Sequence, residues 1–583
     1  MKREALTILF PGGEKVSWCV VPEETLHDLG LDAILEKLTR IEKEQTLIRQ
    51  IMARMTPDPA VAKFRCEVFD DLYRNPEIRR KLMELLDHVK FLNDYGAVRR
   101  PSEEAAGLWD LLHRLDEISD YITTVEAIGE CLQDAKLASE GLSRLREGIL
   151  EIWQDSGFDA LKRDISALKA DTQSLKSITV GLNLNERMEA VSAGLISVNS
   201  KPFTRSGILR TFSEALSRRD QIRDSEEWNG EMNWHPAAST LEKIFNTAET
   251  VSTRVAAVRN PLMAMTLASI PTEDGTRELP RTMDAALGNL VSSLVRKLRE
   301  VLSRYATVSI HEMTDLIPEL IYYIRWAEYI EKLRGDGWRF TRAEPCSPQE
   351  KGPRMEARNF YNLKLTLTEP PDRVVPNDLD FSAEKRLYLL TGANRGGKTT
   401  VTQAVGQMFL LAQGGIYVPA EEFVFTPADL ILTHFPADED RTLDLGRLGE
   451  ECSRFRDLYA RCTGDSLLLL NETFSTTSFE EGYYIAADAV RAILRRGART
   501  IYNTHMHKLA RDLDSLNEGA EEARAFSLIV RSGGGERSFR IAVAPPEGMS
   551  YARDIAEKYG VTFDALTAGE GSSDSQRTES GQQ

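Results

Sequence analysis

The run Thr391-Gly392-Ala393-Asn394-Arg395-Gly396-Gly397-Lys398-Thr399-Thr400 contains the spacing GxxxxGK[ST]. Glycines there let backbone N–H groups close around phosphates at a helix N-terminus. Lys398 would reach the β and γ oxygens, and Thr399 would offer a hydroxyl to Mg²⁺. A second chemistry-bearing pair, Asn471-Glu472, follows the leucines Leu467 to Leu470. A carboxylate at that strand end can polarise the water that attacks a γ-phosphate, which is the role expected of Glu472. The preceding position usually holds the water shell of Mg²⁺; Asn471 can accept a hydrogen bond there but brings no negative charge. Thr504-His505-Met506-His507 supplies a third group, with His505 expected to sense or hydrogen-bond the γ-phosphate and His507 expected on the surface. The pair of histidines lacks a nearby third metal ligand.

These groups need strands and a helix to hold them, and the flanks provide both. Arg386 to Leu390 reads as an apolar strand running into the glycine-rich loop, and Val401 to Leu411 as the helix that follows. Leu467–Leu470 and Arg499–Asn503 read as two further buried strands. From Gly352 onward short apolar runs alternate with helical patterns, the texture of an α/β domain with parallel strands, so a boundary near residue 345 is expected.

Before that boundary the pattern is mostly helical. Residues 1–25 hold short extended runs at Leu6 to Phe10 and Trp18 to Val21. Helical periodicity dominates from residue 26, clearest in Leu108, Leu112, Leu115, Ile118, Ile122, Val125, Ile128 and Leu132. A second stripe runs through Leu145, Ile149, Ile152, Leu161, Ile165, Leu168 and Leu175. The period then changes to two at Ile178, Val180, Leu182 and Leu184, predicting a hairpin with Leu195 to Val198. Helix returns over Met283 to Leu333. The last segment, 568–583, is Ser, Gly, Gln and Glu with almost no apolar content, which predicts disorder.

With 583 residues, several domains are expected rather than one core. The 73 Lys+Arg against 90 Asp+Glu give a net charge of −17, which excludes coating of nucleic acid by bulk charge. One segment departs from that balance. Arg205, Arg210, Arg218, Arg219 and Arg223, with Lys201, face only Glu214 and Asp220, a local +4 that could contact phosphates or could be a solvated loop. No apolar run approaches the ~20 residues of a bilayer span. The six cysteines form no CxxC pair, so they read as reduced thiols of a cytoplasmic protein.

Taken in order, Val375-Pro376-Asn377-Asp378, Thr391 to Thr400, Gly415 to Ala420, Asn471-Glu472 with Thr477-Ser478 and Gly482, and Thr504-His505 resemble the ATPase domain of the MutS family. Gly548 to Ala552 with Gly560-Val561 is similar to that family's C-terminal dimerisation helices. The resemblance covers about 374–566 and extends weakly over the helical region. It implies a multidomain chain: an α-helical core and lever over 26–345, a small β-containing clamp at roughly 176–235, and an α/β P-loop ABC-type ATPase over 346–567. It further implies ATP and Mg²⁺ as ligands, Val374, Val375 and Asn377 in the nucleotide site, and a homodimer through the ATPase domains. Thr477 and Ser478 would approach the partner's γ-phosphate. The chain departs from the family signature at Thr473-Phe474-Ser475-Thr476, where Gly and Arg are usual. Helical core beginning by residue 26 leaves no room for the family's mismatch-reading and connector domains, so branched or otherwise structured DNA is the expected partner. The alternative from another class is an ATP-gated scaffold with little or no hydrolysis, favoured by Asn471.

Overall fold

The computed structural model describes residues 7–12, 16, 18–89, 108–172, 177–184, 186, 190–199, 230–232, 292–305, 311–348, 354–392, 396–436, 446–520, 522–533, 536–546 and 559–567. The basic segment Arg205 to Arg223, the loop residues Ala393, Asn394 and Arg395, and the tail 568–583 lie outside them.

The chain divides into two compact units, one of residues 1–87, 131–148 and 314–583, the other of 88–130 and 149–313. These units cut across the boundary near 345 that texture alone predicts. The physical reason is packing: the first helices find their apolar partners on the α/β segment rather than only on each other.

In the unit of 88–130 and 149–313, the apolar stripes form helices. Leu108–Leu132 buries Leu115, Ile118, Val125 and Ile128, while Leu112 is only half-buried. Ser156–Thr172 buries Phe158, Leu161, Ile165 and Leu168. Against it lies Ser292–Arg304, tied by Lys297 Nζ to Asp171 at 2.5 Å and by the Tyr305 hydroxyl donating to Asp164 at 2.8 Å. Two of the basic side chains on this helix therefore have local acidic partners, since Arg304 also lies 3.4 Å from Asp164. The expected hairpin is present as Ser177–Leu184 antiparallel to Ala190–Asn199, with Gly230–Met232 added to its edge.

The other unit is built on a six-stranded sheet. Its order is Ile431–His434, Leu467–Asn471, Arg499–Asn503, Lys385–Thr391, Arg524–Gly533 and Glu536–Val543, and the first five run parallel. Leu387 to Leu390 and Leu467 to Leu470 are fully buried, as continuous apolar strands covered on both faces must be. A four-stranded sheet, Glu344–Pro345, Glu422–Phe425, Met355–Phe360 and Asn377–Phe381, completes the segment.

The helix that follows the glycine-rich loop, Lys398–Gln413, is buried along most of its length and is gripped by the first 87 residues. Gln403 Nε2 donates to the Asp28 carbonyl at 2.7 Å, Gln407 Nε2 to that of Leu29 at 2.8 Å, and Gln413 Nε2 to that of Thr56 at 2.9 Å. Arg65, 1% exposed, donates to the carbonyls of Leu9 and Gln413. Gly406 makes the approach possible, because a Cβ there would collide with Leu29 on one side and Leu469 on the other.

One sequence expectation fails here. Residues 7–12 are bends and a turn, not a strand. The backbone N–H of Ile8 donates to Glu319 Oε2 at 2.7 Å, so a side chain from a distant helix takes the place of a neighbouring strand. The extended run around Trp18 does form the short strand Cys19–Val20, paired with Arg54–Met55.

Candidate functional site

Lys385–Thr391 is the strand that delivers the glycine-rich loop, and it is anchored at its start. The Arg386 guanidinium donates to the carbonyls of Gly497 and Gly464, both at 2.8 Å. Past Gly392, the described chain resumes at Gly396 and Gly397. Gly397 has φ +91° and precedes the first helical residue, a conformation that favours glycine and leaves the first-turn N–H groups of Lys398–Gln413 pointing outward. Lys398 folds back so that Nζ donates to the Gly392 carbonyl at 2.9 Å. Burial holds its ammonium below the ordinary lysine range, and the Glu472 carboxylate opposes that shift.

Beside it, three side chains from three elements meet. Thr399 Oγ1 donates to Asn471 Oδ1 at 3.2 Å, and the Asn503 side-chain amide donates to the same oxygen. Parallel register puts Asn471 and Asn503 directly side by side at the ends of their strands. Glu472 follows with φ +54°, its N–H donating to the Asn503 carbonyl at 2.8 Å. His505 Nε2 donates to Glu472 Oε1 at 2.7 Å. Both side chains are partly exposed, as groups that meet a ligand should be.

A cleft of about 950 Å³ opens over this cluster. It is lined by Gly396 to Thr400, Glu472 and His505, and also by Val374, Val375, Asn377 and Phe539, the last beside Gly397. Asn377 is buried and its amide is committed to the protein: Nδ2 donates to the Phe539 carbonyl at 3.1 Å, and Oδ1 accepts from the Ile541 N–H at 2.8 Å. It therefore fixes the strand that carries Phe539.

Thr477 and Ser478 are not among the residues lining this cleft. Thr477 Oγ1 donates to Glu481 Oε2 at 2.5 Å, and Ser478 caps the helix Phe479–Arg496 by accepting from the Glu481 N–H. The segment between them and Glu472 is anchored from below. Thr473 is buried, its carbonyl accepts from the Tyr502 hydroxyl at 2.7 Å, and its hydroxyl lies 3.0 Å from His434 Nδ1. Burial, with Arg454 nearby, pushes His434 down to about 4. Thr476 donates to Glu451, whose carboxyl is raised above its usual range by burial. His507 is half-buried rather than on the surface, and burial lowers its pKa.

The donors near Lys398 suit a hard cation. Among the described residues no three His, Cys, Asp or Glu side chains cluster, so hydroxyl, amide and carboxylate oxygens are what the site offers. Mg²⁺ is typically held by one or two such protein oxygens with waters and phosphates completing its shell. Two residues of this site escape a reading of motifs, Asn503 and Phe539. Asn503 carries a signal: two apolar strands both end in asparagine. Phe539 carries none, because its place depends on a fold partner 162 positions away.

The chain matches two family models, one described as MutS domain V over residues 388–560 and one described as the MutS2 N-terminal domain over 57–335. A DNA mismatch repair protein MutS from Shouchella clausii is 31% identical over 185 residues, 30% of this chain and 21% of that protein. Another from Oleidesulfovibrio alaskensis is 29% identical over 272 residues, 46% of this chain and 28% of that protein. A DNA mismatch repair protein MutS 2 from Halobacterium salinarum is 29% identical over 185 residues, 30% of this chain and 21% of its own length. The chain thus spans between 21% and 28% of the length of these relatives. Both descriptions are of MutS domains and together they cover residues 57–335 and 388–560, so this chain belongs to the MutS family.

Proposed function

We propose that this chain binds ATP with Mg²⁺ in the cleft, hydrolyses it, and uses the nucleotide state to open and close a dimeric clamp on DNA. The observation that carries the catalytic part is the grouping of Lys398, Thr399, Glu472 and His505 along a cleft of about 950 Å³, with Asn471 hydrogen-bonded to Thr399 behind them. Lys398 would exchange the Gly392 carbonyl for phosphate oxygens. Its partial burial favours that exchange, because a desolvated ammonium gains more from an anionic partner. Glu472 would take a proton from the attacking water, and His505 holds one oxygen of that carboxylate, leaving the other to face the ligand. Mg²⁺, when bound, supplies charge neutralisation on the phosphates; Thr399 and Asn471, the latter through water, are the residues that would hold it.

The base would lie between Val374, Val375 and Phe539. Thr477 and Ser478 would reach the nucleotide of a second copy, a role that fits their position outside their own cleft. Exposed Tyr559, Val561, Phe563 and Leu566 near the C-terminal helix Phe563–Thr567 support a homodimer through the ATPase domains. The helical core and lever, the clamp at roughly 176–235 and its arginines Arg205 to Arg223 would close on branched or structured DNA. The relatives are named for DNA mismatch repair, which supports DNA as the partner. All six cysteines are free, as expected of a cytoplasmic protein, and among the described residues no helix is long and apolar enough to cross a membrane.

A second reading is favoured by the neutral Asn471: an ATP-gated scaffold that turns over slowly or not at all. Single-turnover hydrolysis with and without branched DNA separates the two. Under the first reading Glu472→Gln binds ATP and fails to turn it over; identical turnover in wild type and variant would remove Glu472 from the catalytic role.

A further inference from the structure

We propose that Asn503 is a positioning residue that fixes which face of the Asn471 amide meets the cation, replacing by hydrogen-bond geometry what an aspartate would supply by charge. The inference rests on the proposed Mg²⁺–ATP reading of the cleft and deepens it.

An asparagine at this strand end has a difficulty that an aspartate lacks. A carboxylate presents equivalent oxygens, whereas an amide presents an oxygen on one side and two N–H donors on the other. Only the oxygen can accept from Thr399 or from a metal-bound water. If the Asn471 amide were turned over, its NH₂ would donate to Thr399 Oγ1 and occupy the last lone pair that a cation would need.

Asn503 prevents this. Its Nδ2 donates to Asn471 Oδ1 and, at 3.4 Å, to Thr399 Oγ1, so a donor faces the Asn471 oxygen and disfavours an opposing NH₂. Thr399 then gives its own hydrogen to Asn471 Oδ1 at 3.2 Å and accepts from Asn503 on one lone pair, leaving the other for a ligand. The parallel register makes the arrangement rigid, with Asn471 and Asn503 paired at the strand ends and the Asn503 carbonyl holding the Glu472 N–H.

A second observation shows what sets the orientation of Asn503 itself. It is fully buried, and its Oδ1 has no hydrogen-bond partner among the described residues. Buried polar atoms are rarely left so. Turning the Asn503 amide over would not help, because it would set its oxygen against that of Asn471. The side chain is thus oriented by its donor, toward the Thr399–Asn471 pair.

The test is a double-mutant cycle read by calorimetric binding of a non-hydrolysable ATP analogue, in Mg²⁺ and in EDTA. Asn503→Leu keeps the branched heavy-atom outline, though it is bulkier, and removes the donor, and Asn503→Ala is a second probe should the first fold poorly. Either substitution is expected to weaken binding roughly 5- to 30-fold in Mg²⁺, the loss of one hydrogen bond, and to leave binding in EDTA unchanged. In an Asn471→Asp background the same substitutions should have little effect, since a carboxylate has no wrong face. A penalty of equal size in that background, or equal losses in Mg²⁺ and EDTA, would overturn the positioning role. Failure of the wild-type chain to bind the analogue under either condition would instead overturn the nucleotide reading beneath it.

Discussion

Phe539 enters the cleft from the last strand of the large sheet with φ +54°, a region that non-glycine residues seldom occupy. The residue is 43% exposed and its ring lies about 3.5 Å from where a Cβ on Gly397 would be, while Asn377 holds its carbonyl. An exposed aromatic ring held on a strained backbone beside Val374 and Val375 offers a face for a planar base. Phe539→Ala should therefore weaken ATP binding on the order of tenfold, in line with base–aromatic stacking. Binding of inorganic tripolyphosphate, which has no base, should not change; calorimetry with both ligands checks this, and equal losses would make the ring a support for the loop. At this scale the motif residues are legible in the sequence because Lys398, Thr399 and Glu472 sit at fixed offsets from glycines and strand ends. Phe539 is not, and Asn503 shows only as a second strand-end asparagine, because each acquires its role from a neighbour supplied by the fold.

At the scale of elements, the helix Lys398–Gln413 is the part on which both halves of its compact unit depend. Its polar side chains Gln403, Gln407 and Gln413 bond to carbonyls of the first 56 residues, and Gly406 admits Leu29. Gly406→Ala is expected to destabilise by up to about 2 kcal/mol net, because overpacking of roughly 1–3 kcal/mol exceeds the ~1 kcal/mol of helix propensity gained. A lower urea midpoint with an unchanged slope would show it; an unchanged or raised midpoint would mean that Leu29 yields at no cost. Helices and strands are legible wherever a stripe or an apolar run is long, as in Leu108–Leu132 and Leu467–Asn471. The run at Leu6 to Phe10 misleads because short apolar segments take whatever partner the fold brings, in this case the carboxylate of Glu319.

For the whole molecule, charge and connectivity set the terms. A net charge of −17 splits into −10 over residues 1–350 and −7 beyond, so any grip on DNA must come from confined basic segments. Reversing Arg218 and Arg219 to Glu should weaken binding of branched DNA and flatten its dependence on salt, by about 0.9 in slope for each DNA phosphate that is no longer neutralised. Filter binding from about 50 to about 200 mM salt measures this, and an unchanged slope would place the phosphate-binding residues elsewhere. Which segments belong together is not legible, since the pairing of residues 1–87 with 314–583 is decided by surface fit across a long gap. That gap has a consequence during synthesis. After residue 87 leaves the ribosome, 227 more residues must follow before residue 314 appears, roughly 10–45 s at ~5–20 residues per second. For more than that interval Leu29 lacks its seat at Gly406, and Arg65, though it can already bond to Leu9, lacks the Gln413 carbonyl. The nascent chain therefore displays apolar helices to solvent long before the glycine-rich loop exists, and a chaperone that binds such helices would meet this protein at its first turn rather than its last.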